Sequence, residues 1–577
     1  MAERVLFARK ATGLVREVGF LTAVILAIAN VVGLGWQKRV FQSIGAESVL
    51  PSEYFLGIHP MIMAFFIVGI LMLLSIYTFM VLSAAMPRSG GGYVFMSRIL
   101  SPGFSFVATC LEFLSVAVSY GLIAVATFEA TLIFGGLAGV DTTALANPWF
   151  MTIFGIVIIA IFSAVACLGT RQTGYLLHII FWIPAAVLVL VYVVFIIATP
   201  TAMENGVQLF TGHSASEYTQ AALAQGLTSS GSYWSAVFTA SFFAYWAYIG
   251  YAAATFVAGE VKEASRSLPR AILISGIVIM LIYMTISWVL ARAGAMAGVD
   301  AATGFSLVDA VGFLGAGAGS YADAGLPSIG PWMPMFAGIS AFGTFGAAGG
   351  RLFGWLLLAF AALWVANDIP PFILTCSRMM FAMGFDRILP EWVAEVNEKW
   401  ASPVNAIIVT SVAALLGVVA EAELFGPSGL NIALIHHPFG QQWISSAGAV
   451  VATDLWDALF FSGVALSCAL FPSRMPEVFD RAPWRQSKTV VQTLAWIAFA
   501  ANVLLSLLLV FHENAYGWGP ISISTPFGNF GGNFGSINFW FTMVLIVISL
   551  GVYYWGRSRA RRVGADLTTI FAEIPPE

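Results

Sequence analysis

Asp368 stands in the run Ala-Asn-Asp-Ile-Pro-Pro-Phe, residues 366–372, inside a long apolar stretch. A carboxylate at mid-bilayer costs at least about 2.5–3.5 kcal/mol on insertion scales, so its presence needs a chemical reason. Pro370 and Pro371 cannot donate hydrogen bonds back to the carbonyls of Ala366 and Asn367. An acid beside two freed carbonyls is an oxygen-rich setting suited to a hard cation or a proton. Glu112 is the second such acid, with Ser115 and Ser119 at i+3 and i+7 on one helical face. It reads either as the wall of a polar path that carries a proton or as a buried, paired acid. Glu129 is expected to snorkel to the nearer surface, and His178 to make a hydrogen-bonded helix cap rather than a proton relay.

A second kind of chemistry is carried by backbone. Ala-Asn-Val-Val-Gly-Leu-Gly-Trp, residues 29–36, puts Asn30, Gly33 and Gly35 in mid-span. The glycines fit a packing notch, but they also fit an unwound segment whose freed N–H groups bind an anion such as a carboxylate. Five spans later, residues 242–260 place Gly250 among aromatics. Unwinding between Ala247 and Gly250 would free carbonyls for an ammonium group, and the two breaks together would clamp a zwitterion. Phe243, Trp246, Tyr248 and Tyr251 offer an apolar wall, although Phe243 and Tyr251 fit ordinary packing equally well. Cys110, Cys167, Cys376 and Cys468 lie in apolar runs without metal-ligand spacing. No nucleophile, metal or phosphate motif is present, so an enzyme is not expected, nor any metal beyond a Na+ site at Asp368.

The elements that must position these groups lie in a membrane. The chain of 577 residues is 59% hydrophobic and 9% charged, against about 25% charged in soluble proteins. A net charge of −4 and the lack of a basic block argue against nucleic acid. Twelve segments are long and apolar enough to span, near 18–37, 61–85, 104–135, 149–168, 175–198, 234–256, 270–293, 352–383, 404–420, 455–471, 490–511 and 538–556. Of the 25 Lys and Arg, all but Lys38, Arg39, Arg292 and Arg351 fall on one side, which predicts that both termini are cytoplasmic. Segments 299–349, 421–453 and 512–537 on the opposite side are rich in small residues. They read as covers over the bundle or as adaptation to a harsh exterior.

Three stretches carry a resemblance. Met-Pro-Arg-Ser-Gly-Gly-Gly-Tyr at 86–93 is similar to the Pro-x-Ser-Gly-Gly-x-Tyr segment of amino acid permeases in the amino acid-polyamine-organocation superfamily. Ala-Gly-Glu-Val-Lys at 258–262 with Leu-Pro-Arg-Ala-Ile at 268–272 resembles its next motif, and Ser377-Arg378 through Leu389-Pro390 its third. The resemblance implies an all-α polytopic membrane protein of about twelve helices, with a 5+5 inverted-repeat core, broken helices 1 and 6, and two peripheral helices. On that reading residues 1–17 are a cytoplasmic N-terminus and 18–198 the first half. An outer loop follows at 199–233, the second half at 234–471, helices 11 and 12 at 472–556, and a cytoplasmic tail at 557–577.

The same resemblance implies residue roles. Gly33, Leu34 and Gly35 fall on the segment that holds a substrate carboxylate, Trp246 on a gating aromatic, and Ala247, Tyr248 and Ile249 on carbonyls that take the amine, next to Gly250. Ala252 stands where the family often has an acid, which argues against polyamines or arginine. Helix 1 also resembles sodium symporters of neurotransmitters and amino acids, with Trp36 replacing an asparagine of one ion site. In such relatives a second ion lies between helix 1 and helix 8, which maps to Asp368 with Ala29, Val32 and Val365. Ile369 replaces the usual hydroxyl there. Proton-coupled permeases often carry a lysine on helix 5, where this chain has Pro184. Glu260 and Lys262 are expected to form an inner gate with Arg88 or Arg378.

The resulting expectation is a secondary active transporter in the cytoplasmic membrane that takes up a neutral amino acid by alternating access, coupled to Na+ or H+. An obligate exchanger and a non-transporting sensor are the alternatives. Its partners are an amino acid substrate and the lipid bilayer, with no nucleic acid, no obligate protein partner and no cofactor.

Overall fold

Proline and small polar residues start the helices that the apolar runs allow. A computed structural model describes residues 13–39, 48–315, 318–426, 429–430, 446–484, 486–565 and 567–575. Arg4, Arg9 and Lys10 of the first basic cluster, and much of segment 421–453, lie outside the described residues. Ser101 accepts from the Phe104 N–H ahead of Pro102, and Asn147 accepts from Trp149 and Phe150 ahead of Pro148. A proline at the first helical position loses no bond, because that N–H has no intrahelical partner.

The principal helices are α1 Phe20–Ala29, α2 Pro60–Ala85, α3 Pro102–Ala138, α4 Pro148–Cys167, α5 Thr170–Ile197 and α6 Tyr233–Tyr248. They continue with α7 Ala264–Gly294, α8 Ile369–Phe385, α9 Val404–Glu421, α10 Ser446–Arg474, α11 Lys488–Phe511 and α12 Ile537–Arg562. Among the described residues ten helical runs are long and apolar enough to cross a membrane, one of them the compound run Met333–Phe385 that ends in α8. The chain is therefore an all-α polytopic membrane protein, and each of the twelve expected spans contains a helix. Helix α3 is the central post, packed against α4, α8, α9, α10 and α12.

Helices α1 and α6 are short because both stop in mid-span. After Ala29 the backbone turns through Asn30–Gly33 and resumes as a π-helical turn, Gly35–Arg39. After Tyr248 it becomes extended at Ile249, passes Gly250 at φ +107, and resumes as Ala253–Phe256. That positive φ is one that side chains rarely adopt, so glycine is what permits the second break.

The covers are more structured than loops. Segment 199–233 contains helices Pro200–Thr211 and Ala215–Ala224, and 299–349 contains Leu307–Gly315 and the start of Met333–Leu356. These pack on each other, with the Tyr218 hydroxyl donating to Pro327 O at 2.8 Å. Segment 512–537 carries a two-stranded antiparallel hairpin, Ser522–Thr525 with Gly528–Gly531, in an otherwise helical molecule. Its turn, Pro526-Phe527, has the proline that a tight reversal uses, and Gly528 follows it at the start of the second strand.

Candidate functional site

The two breaks touch. A Cβ added to Gly35 would lie 2.5 Å from Ala247 Cβ, and one added to Gly250 would lie 2.2 Å from Asn30 Nδ2. Only glycine lets the chains cross this closely. Asn30 Nδ2 donates to Gly250 O at 2.9 Å, and the Ala253 N–H donates to the same carbonyl at 2.9 Å. Both lone pairs of Gly250 O are thus in use. Tyr283 on α7 donates its hydroxyl to Val31 O and lies 2.8 Å from Ala247 O, so one side chain spans both breaks. Gln37 Nε2 donates to Gly33 O at 3.2 Å.

Between the breaks lies a cavity of about 20 Å³ lined by Asn30, Val31, Gly35, Trp246, Ala247 and Ile249, by Ser115, Val116 and Ser119 of α3, and by Asp368 and Phe372. This is room for about one water molecule, so an amino acid enters only if the walls move. The lining brings together Asn30, Gly35, Trp246, Ala247, Ile249 and Asp368 of the expected residues. Gly33 and Leu34 stand beside it, against Asp368. Tyr248 turns its ring away, donating to Phe65 O at 3.0 Å, and Phe243 is not among the lining residues. Ser115 and Ser119 reach the cavity, whereas Glu112 sits one turn below them.

Asp368 is 4% exposed and occupies the bend between the helical turn Ala362–Ala366 and α8. Its carboxylate fills the notch at Gly33, where an added Cβ would be 2.0 Å from Oδ2 and 2.2 Å from Oδ1. The Leu34 N–H points at the same carboxylate, and Oδ1 has no hydrogen-bond partner. Val365 O accepts the Asp368 N–H at 3.4 Å. The contact of the acid is therefore with Gly33 and Leu34, the residues after the α1 end, beyond Ala29 and Val32.

Ion pairs close both ends. At one, Lys38 Nζ meets Glu129 at 2.6 Å and Glu421 at 2.9 Å, with the Trp332 ring 5.9 Å away. Glu129 thus binds a lysine of the α1 extension instead of snorkelling. At the other, Arg378 Nε and Nη2 donate to the two Glu260 oxygens at 2.8 Å each, and Nη2 also donates to Thr170 Oγ1 at 2.8 Å. Of the two arginines expected for Glu260, Arg378 is the partner. The N-terminal segment is sewn to the same place, Val18 N–H donating to Glu260 O and Lys262 N–H to Val18 O, each at 2.9 Å. Arg98, five residues past the first sequence motif, pairs with Asp386 of the third, Nη2 to Oδ1 at 2.8 Å. His178 shares a hydrogen bond of 3.0 Å with Thr22 Oγ1, joining α5 to α1 rather than capping a helix.

Two residues escaped sequence reasoning. Tyr283 lies in an ordinary apolar span, and nothing in its neighbours distinguishes it. Asp457 does carry a signal, because Asp454 and Asp457 are acids within an apolar run and face the same cost as Asp368.

A cavity at the crossing of two interrupted helices, closed at both ends by ion pairs, defines a multi-pass membrane protein built to pass a small solute. The chain belongs to the amino acid permease family, which it matches over residues 18–549. Membership makes it an amino acid transporter. No curated protein matches the chain.

Proposed function

We propose that this permease takes up a neutral amino acid by alternating access, coupled to Na+ or H+ at Asp368, with both termini in the cytoplasm. The observation that carries the reading is the contact of Asp368 with Gly33 and Leu34. An entering substrate carboxylate would seek the same Leu34 N–H and meet a resident negative charge. Like charges in a low-dielectric site repel strongly, so substrate binds best once a cation or proton has neutralised Asp368. Linkage is reciprocal, and substrate then tightens the cation by the same factor. Co-binding of this kind is what symport requires.

Among the described residues Asp368 is the single ionisable one of the lining, beside Val31, Val116, Trp246, Ile249 and Phe372. That supports an uncharged substrate side chain. With the Gly250 carbonyl saturated and Ala247 O shared with Tyr283, the Tyr248 and Ile249 carbonyls are the ones left for the ammonium group. Trp246 packs over the site as its gate.

The test is uptake into proteoliposomes of a labelled amino acid panel under imposed Na+ and pH gradients, for the wild type and Asp368→Asn. Accumulation driven by one gradient and lost in the variant is the expected result. Unchanged accumulation by the variant would remove Asp368 from the coupling, and accumulation that needs preloaded substrate and ignores both gradients would mark an exchanger.

A further inference from the structure

A second pair of acids meets inside the bundle, away from Asp368. Glu112 on α3 is 2% exposed and Asp457 on α10 is fully buried, and their carboxyl groups lie within hydrogen-bonding reach of each other. Neither Asp457 oxygen nor Glu112 Oε2 has a hydrogen bond of good geometry. The groups facing the pair are Ser115 on α3, Tyr245 on α6, Tyr251 just after the α6 break, and Cys376 on α8, and Asp454 on α10 faces Tyr245. Among the described residues no lysine, arginine or histidine acts on either carboxyl group. The Tyr245 hydroxyl, on a side chain 5% exposed, faces Asp457, Asp454 and Glu112 and has no partner of its own. Among the described residues no cluster has the arrangement of a metal site.

Two carboxylates in contact in a dry interior cannot both be ionised, and without a basic neighbour the pair must hold a proton. A shared proton satisfies this chemistry. Its position matters as much as its presence. Ser115, one turn above Glu112, lines the substrate cavity, and Tyr245 immediately precedes the gating Trp246. Any movement that opens the cavity by shifting α6 against α3 and α10 therefore also moves the wall of this pair.

We propose that Glu112 and Asp457 form a proton-binding site distinct from Asp368, loading one proton from one side of the membrane and releasing it to the other in each transport cycle. The proposal rests on the transport reading above for its coupling, but not for the presence of the proton. This H+ travels with the zwitterion in addition to the cation carried at Asp368, so each cycle moves two positive charges.

Two measurements decide it. Infrared difference spectra of the purified protein are recorded across a pH titration for wild type, Glu112→Gln and Asp457→Asn. A protonated-carboxyl band that titrates in the wild type and is lost in both variants is expected, whereas a band unaltered in both overturns the site. Pyranine-loaded proteoliposomes then report lumenal acidification on addition of substrate. The expected result is acidification by wild type and fewer protons delivered per substrate in both variants, with substrate counterflow retained. Acidification unchanged in the variants, or counterflow without any acidification in wild type, overturns the coupling. Absence of wild-type counterflow with every amino acid would instead defeat the transport reading, and the infrared band would still decide the proton.

Discussion

The Asp368 carboxylate occupies the space that a side chain at residue 33 would fill, 2.0 Å from the position of a Gly33 Cβ. The break in α1 is thus shaped around an acid from α8, and the missing side chain is what admits it. Backbone conformation alone does not demand glycine at Gly33, since its φ is not in the left-handed region. Close approach does.

Gly33→Ala is expected to expel the carboxylate from its notch. Overpacking of this kind costs about 1–3 kcal/mol, and the displaced acid would lose the Leu34 N–H as well. Thermal unfolding in detergent should show the loss of stability, and substrate counterflow should fall in parallel. A variant with wild-type stability and flux would show that Asp368 has another resting place.

Asp368→Asn keeps the shape and removes the charge. Substrate affinity in cation-free buffer should then equal or exceed that of the wild type, and its response to Na+, or to pH once Glu112→Gln is added, should vanish. Allosteric couplings are typically 1–3 kcal/mol, about 5–150-fold in affinity. Binding titrations with and without the cation measure that factor, and a variant as responsive as wild type would place the coupling elsewhere.

Tyr283→Phe tests the strap between the breaks. The hydroxyl serves Val31 O and Ala247 O, both buried. Leaving buried acceptors without a donor costs about 1–3 kcal/mol. The expected outcome is a lower melting temperature together with faster exchange of the amides on either side of both breaks. Exchange confined to α7 would mean that the hydroxyl holds only its own helix.

The long spans, both breaks, and the Glu260 ion pair were legible because each has a local cause in the sequence: apolar length, a glycine in mid-span, or an isolated charge beside a family motif. What could not be read was which side chain reaches across. Gly33 was visible as a glycine but not as the socket for Asp368, because 335 positions separate them. Tyr283 is equally remote from the carbonyls it joins. Glu129 reads as a snorkelling acid until Lys38, on the extension of α1, arrives beside it. The hairpin at Ser522–Thr525 was hidden because glycine-rich cover segments carry no hydrophobic period.

The cover should respond to pH through Asp309 on helix Leu307–Gly315. Burial raises its pKa from 3.8 to about 6, outweighing the hydrogen bonds from the Ser306 N–H and hydroxyl, each at 2.9 Å. The folded state therefore holds its proton more tightly than the unfolded one. The contribution to stability is fully present below pH 3.8 and is lost as pH rises through about 6. It amounts to at most about 3 kcal/mol. His59, at the start of α2, acts oppositely: burial lowers its pKa to about 4, so its contribution is lost as pH falls through that value. Global melting mixes the two. Intrinsic-rate-corrected amide exchange within 307–315 separates them, and protection should weaken from about pH 4 to about pH 7 in wild type but stay level in Asp309→Asn.

Arg378 and Glu260 hold the end of the cavity opposite Lys38. Both side chains are 1% exposed, and the guanidinium uses Nε, Nη1 and Nη2 on Glu260, Ser377 and Thr170. Removing one member of such a pair strands a buried charge and costs about 3–5 kcal/mol. In a transporter that energy need not unfold the molecule, because opening this end to water would rehydrate the stranded group. Cys376, two residues before Arg378 and fully buried, provides the reporter. In a background with Cys110, Cys167 and Cys468 changed to serine, Glu260→Gln should raise the maleimide labelling rate of Cys376. Arg378→Ala should raise it further, by up to about 200- to 5,000-fold if the whole energy goes into opening. Lys38→Ala, which releases the other end, should leave that rate unchanged. A rate raised equally by all three variants would mean general loosening rather than a gate at this end.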